Sequence, residues 1–172
     1  MITLSSVVHL IIIACYAGVL LGAAAQDMLW LKLPNRLTLA LLLLYPAHVI
    51  ASVAPVDWPM ALVAAAVALV VGFFFFTMGW IGGGDAKLFA VGTLWAGPAL
   101  FPEFLMATTL SGGVIALSML VRRRFPTHLA AATGPHATDS PALDLRPQKD
   151  VPYGAAIGFG GLTVAVILMM QG

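Results

Sequence analysis

Charge is what this chain has least of. Lys and Arg together number 8 and Asp and Glu 7 among 172 residues, so charged residues make up 9% of the chain and hydrophobic ones 61%. A soluble domain carries about a quarter charged residues. The composition excludes an ordinary soluble domain and points to an integral membrane protein. A net charge of +1, with no basic cluster interleaved with aromatics, gives nucleic acid no footing. The single cysteine, Cys15, excludes an internal disulfide and a cysteine-based zinc site. Inside an apolar run it reads as a small buried residue. No Lys or Arg precedes Lys32. Although Ala23-Ala24-Ala25 resembles a leader cleavage site, the basic n-region of a secretory signal is therefore missing, and the first run is long enough to be kept as a spanning helix.

What the chain does have is long apolar runs, from about Leu4 to Ala25, Leu37 to Ala54, Met60 to Gly79, Ala86 to Phe101, Phe104 to Val121 and Pro152 to Met170. A spanning helix needs roughly 20 such residues. The fourth run is short and is closed by Pro98 and Pro102, so charge placement has to arbitrate. With six spans, Lys32, Arg36, Lys87, Arg122, Arg123, Arg124, Arg146 and Lys149 all fall on one side. The other side receives only acids, among them Asp57 and Glu103. That is the positive-inside pattern, and dropping the fourth span would move the triple arginine outside. The expectation is an all-α polytopic membrane protein of about six transmembrane helices, with both termini extracytoplasmic. Residues 1–172 form one membrane-embedded domain, and the polar, proline-spaced stretch 122–150 is a flexible cytoplasmic loop, its basic residues near anionic lipid.

This topology brings two carboxyls to one depth and one face: Asp27 at the end of the first helix and Asp85 at the start of the fourth. An aspartate at the centre of a membrane helix costs about 2.5 to 3.5 kcal/mol on insertion scales, so an ionisable group tied to such a segment is a candidate for function. Two carboxyls held together at the edge of a low-dielectric region do not both ionise easily, and they come to share a proton. Such a pair can hydrolyse a peptide: one carboxylate takes a proton from water while the protonated partner polarises the scissile carbonyl. We take Asp85, expected to cap the fourth helix, as the base and Asp27 as the acid, an assignment that can be reversed. Gly82, Gly83 and Gly84, lacking Cβ, let the chain turn and another backbone come close. Read alone, Asp85 is equally well a simple cap, and Lys87 a residue reaching for phosphates.

The remaining polar residues read as structural. His9 and His48, each alone in an apolar helix, fit packing hydrogen bonds. His128 and His136 have no supporting carboxylates or thiols, so no metal site is expected. Gly18 and Gly22, and Gly154 and Gly158, have the four-residue spacing that lets helix backbones approach.

Gly-Gly-Gly-Asp-Ala-Lys-Leu at 82–88, with Asp27 before it, resembles the type IV prepilin peptidase family of GxGD aspartic membrane proteases. Two further blocks carry the resemblance. The segment from Asp27 through Leu33-Pro34-Asn35 to Leu37-Thr38 is similar to the family's first-aspartate block. Val151-Pro152-Tyr153-Gly154 is similar to its last-helix Pro-Tyr-Gly signature. The resemblance implies that Asp27 and Asp85 are the catalytic pair, that Gly82 and Gly84 complete the GxGD element, and that Pro34, Asn35, Pro152, Tyr153 and Gly154 support the site. It implies an inner-membrane peptidase with no metal or organic cofactor, acting at the cytoplasmic face on prepilin or pseudopilin substrates whose basic leader precedes an apolar helix. Paired cysteines and a cytoplasmic part found in larger relatives are missing, which resembles the short peptidases of Flp or tight-adherence pilus systems and implies no N-methyltransferase activity. The rival reading is a small transporter or proton conductor using the same carboxyls. Such a protein should show an internal repeat, and the two halves of this chain share no pattern.

Overall fold

The computed structural model describes residues 4–30, 33–52, 54–124 and 153–171. Lys32, Arg146, Lys149, His128, His136, Pro152 and nearly all of the expected loop lie outside the described residues. Those that are described are all-helical where regular, in five elements: α1 (Leu4–Trp30), α2 (Asn35–Ala51), α3 (Trp58–Thr77), α4 (Gly83–Arg124) and α5 (Tyr153–Gln171). Four of them, α1, α3, α4 and α5, are long and apolar enough to cross a membrane, and α2, with 17 residues, is shorter.

Each boundary has a local cause. α1 runs on past Ala25 to Trp30, so Asp27 lies inside the helix and not after it. A single aspartate followed by Met28, Leu29 and Trp30 does not stop a helix, whereas Pro34 biases the residue before it toward extended backbone. α2 starts directly after Pro34, whose carbonyl accepts from the Leu37 N–H at 3.1 Å. Asp57 caps α3, its Oδ1 accepting from the Met60 N–H at 3.3 Å, with Pro59 in the first turn. α3 ends in a left-handed glycine, Gly79, at φ 73°. There the Trp80 N–H reaches the Phe75 carbonyl at 3.0 Å and the Gly79 N–H the Phe76 carbonyl at 2.9 Å. Phe75 and Trp80 stack across this Schellman end, centroids 5.5 Å apart. The turn before the triple glycine is therefore made by Gly79. None of Gly82, Gly83 and Gly84 has a positive φ.

α4 is continuous only in name. Gly97 breaks it at φ 58°, ψ −177°, a region essentially reserved for glycine. Pro98 then sits at the start of a new helical arm, where its missing N–H costs nothing. The two arms fold back on one another: Phe104 lies against Gly92, and its ring centroid is 5.5 Å from that of Phe89. In a straight helix, positions 89 and 104 would stand about 22 Å apart. The expected fourth and fifth segments are thus present as two arms, but the reversal is at Gly97, and Pro98 and Pro102, expected to close the fourth run, lie in the helical start of the second arm. A Cβ at Gly97 would force strain of about 1 to 3 kcal/mol. Gly97→Ala should accordingly lower the melting temperature in detergent without altering the far end of the bundle.

The arms of α4 pack on α3 and α5, α5 on α1, α1 on α2, and α2 back on α4. Tyr16 and Trp95 stack at the centre, centroids 3.9 Å apart, and the Trp95 Nε1–H donates to the Leu41 carbonyl at 3.1 Å. Close approach of α1 and α5 uses Gly158, where a Cβ would stand 3.1 Å from that of Ala24, and Gly154, but not Gly18 or Gly22, which have nothing within 4 Å. Cys15 is exposed on the outside of α1, not buried. One end of the bundle gathers the end of α1 and the starts of α2, α4 and α5. The other holds a cavity of about 260 Å³ lined by His9, His48, Asp57, Gly97 and Gln171. His9 and His48 are not separate packing residues: His9 Nε2 and His48 Nδ1 lie 3.1 Å apart, both side chains buried.

Candidate active site

The site is built where three helix ends meet. α5 begins at Tyr153, and its first turn presents backbone N–H groups that have no partner within the helix. Asp27, buried in the last turns of α1, fills that role: its Oδ2 accepts from the Ala155 N–H at 2.9 Å. Gly154 makes this possible. A Cβ there would stand 2.9 Å from Asp27 Cγ and Oδ2 and 2.8 Å from Leu33 Cδ1. Any side chain at 154 would push the carboxyl off the helix end.

Asp85 comes to the same point from the other side. It lies in the first turn of α4, two residues past Gly83, so it is not the cap that the sequence suggested; Gly82 holds that position, its carbonyl accepting from the Ala86 N–H at 3.1 Å. The Asp85 side chain turns back to the Gly82 N–H, the acidic half of a capping box. A Cβ on Gly82 would stand 2.9 Å from Asp85 Oδ2, so a side chain there would displace the Asp85 carboxyl. The Gly154 backbone lies close against Asp27 and near Asp85, and the two carboxyls are within electrostatic reach of one another. Both acids therefore approach the tip of α5.

Leu33 holds the third side. Gly84 lies so near it that a Cβ would stand 2.9 Å from Leu33 Cβ, and the Leu33 side chain also reaches Gly154. It is wedged between Gly84 at the start of α4 and Gly154 at the start of α5. Gly83 faces the Phe76 ring, where a Cβ would stand 3.3 Å away, so it serves helix packing. Lys87 donates from Nζ to Asn35 Oδ1 at 3.1 Å, tying the start of α4 to the start of α2. Tyr153 is exposed at the rim, and Pro34 precedes α2 without contributing a side-chain cap.

Of the residues singled out from sequence, the structure brings Asp27, Asp85, Gly82, Gly84, Gly154, Asn35 and Lys87 to one end of the bundle. Pro152 lies outside the described residues. Two participants were not singled out: Leu33, whose contacts with Gly84 and Gly154 have no local signature, and the Ala155 N–H. The position of the latter, at a helix start just after a proline, was the available signal. Among the described residues no group of three or more His, Cys, Asp or Glu could hold a metal ion.

The family model of the type IV leader peptidase family matches residues 5–117. The chain belongs to the type IV leader peptidase family. The match covers both aspartates, the triple glycine and Lys87, and ends before α5. Neither curated proteins nor solved structures gave a match. Membership makes a peptidase function and pilin-type substrates the general expectation for this chain, and the apolar helices agree with the membrane setting of leader peptidases.

Proposed function

We propose that this protein is an aspartic endopeptidase that removes the leader of a pilin-type precursor at the cytoplasmic membrane face, with Asp27 and Asp85 as its water-activating pair. One observation carries the reading: two carboxyls from distant parts of the chain converge on a single helix tip, where Asp27 accepts from the Ala155 N–H at 2.9 Å and Asp85 lies near the Gly154 backbone. A simple interfacial cap needs one acid, not two. In the reaction the ionised carboxyl takes a proton from water, whose oxygen bonds to the scissile carbonyl carbon. The protonated carboxyl donates to the carbonyl oxygen. The resulting diol collapses as the amine nitrogen is protonated and the C–N bond breaks. Asp85, partly open to the groove beside it, suits the base, and Asp27, buried at the α5 tip, the acid.

The same reading gives six crossings, with the arms of α4 as the fourth and fifth and both termini outside. Arg36 and Lys87 then lie with the two aspartates at the cytoplasmic end, and Asp57 lines the opposite end. Purified protein in liposomes, given a type IV prepilin, should release the leader without added metal. Leader retained in full while the protein conducts protons would replace this reading with the transporter.

A further inference from the structure

A groove of about 440 Å³ opens beside Asp85, between α3, the second arm of α4 and the start of α5. Its walls are apolar, Val71, Phe75 and Phe89 among them, and its floor is small, with Gly112 and Gly113. Asp85 and Tyr153 line one end; Thr108 lies two turns further along the second arm, about 12 Å from Ala116 at 1.5 Å per residue. Resting on the peptidase reading above, we propose that this groove holds the apolar helix of the substrate, and that Gly112, Gly113 and Ala116 set how closely that helix approaches Asp85.

Three observations commit the groove to that occupant. It shares Asp85 with the candidate active site, so a chain cut there must pass its rim. It is open along exposed Thr109, Gly113 and Ala116 on the outside of the bundle, where a chain in lipid must satisfy its backbone internally and so enters as a helix. Small residues at four-residue spacing, Thr108, Gly112 and Ala116 beside Thr109 and Gly113, are the surface on which membrane helices pack closest. One flank of this surface is already used: Gly112 contacts Ala156, and the Ser111 hydroxyl reaches the Ala156 carbonyl at 3.2 Å. A larger apolar groove of about 590 Å³ between α2, α3 and α4 contains neither aspartate, and its lining includes Arg36 and Lys87. It does not reach the reacting groups.

Gly113 lines the groove and has open space beside it, since a Cβ placed there would meet nothing within 4 Å, so Gly113→Phe is the substitution chosen to obstruct the groove. With a type IV prepilin in liposomes it should raise KM at least 10-fold at an unchanged melting temperature, whereas Leu62→Phe, in the other groove, leaves KM unchanged. A photo-crosslinker at Ala116 should capture the prepilin helix, and one at Leu62 should not. Unchanged KM in Gly113→Phe, or capture from Leu62 and not from Ala116, would overturn the groove assignment while leaving the peptidase reading intact. A wild-type protein that cuts no prepilin sinks the peptidase reading instead, and the crosslinks then report on the groove alone.

Discussion

Asp27→Asn and Asp85→Asn should each lower the rate of leader removal by at least about 10³-fold, with melting temperatures within a few degrees of wild type. Positioned acid or base catalysis contributes about 10² to 10⁴-fold, and each asparagine removes one of the two roles while keeping shape. Asp27→Asn is the more informative of the two. Its amide oxygen can still accept from the Ala155 N–H, which the Asp27 carboxyl now does at 2.9 Å, so the tip of α5 stays docked on α1. A rate loss at preserved stability then reports on proton transfer and not on folding. Leader removal quantified by gel shift against time, with a detergent melting curve for each variant, checks both halves.

Gly154→Ala is the second large effect, and it works without touching an ionisable group. The added methyl would stand 2.9 Å from the Asp27 carboxyl and 2.8 Å from Leu33 Cδ1, inside ordinary van der Waals contact. One or both must move. Because Leu33 also lies against Gly84, and Gly84 stands next to Asp85, a shift of Leu33 is transmitted to the second acid as well. Overpacking of this kind costs about 1 to 3 kcal/mol in stability, and a misplacement of about 1 Å costs on the order of 10²-fold in rate. The loss should fall mainly on kcat, since Gly154 acts by positioning the pair. A KM effect alone, with kcat preserved, would mean that Gly154 only packs helices. Gly18→Ala is the natural control, because nothing lies within 4 Å of the position.

Much of this site could be read from the chain, for identifiable reasons. Scarcity made the aspartates visible: with 7 acidic residues in 172, two that adjoin apolar runs stand out. The one-sided placement of Lys and Arg then put both at one end, and in the structure the Lys87 to Asn35 and the Asp27 to Ala155 hydrogen bonds share one end of the bundle. What the chain concealed depends on contacts between residues distant in sequence. The glycines before Asp85 look like turn residues, but the turn is made by Gly79, and Gly82 and Gly84 are needed because the Asp85 carboxyl and Leu33 press on them. Cβ clearance has no sequence pattern. The reversal in α4 was hidden because Gly97 stands beside Pro98, and the proline drew attention as the breaker while it serves as the start of the next arm. His9 and His48 are 39 positions apart and read as solitary, yet they form a buried pair. The exposed Cys15 and the unused Gly18 and Gly22 show the converse: composition tells that a residue can be buried, and only packing decides whether it is.

The central claim is that Asp27 and Asp85 act as one unit on one water. Prepilin processing by wild type, both single asparagine variants and the Asp27→Asn/Asp85→Asn double variant, measured side by side in liposomes, tests it most directly. Groups that act together are strongly non-additive. The double variant should therefore be no slower than the worse single variant, with all three at least about 10³-fold below wild type. Full processing by either single variant, or losses that multiply in the double one, would contradict a shared hydrolytic pair.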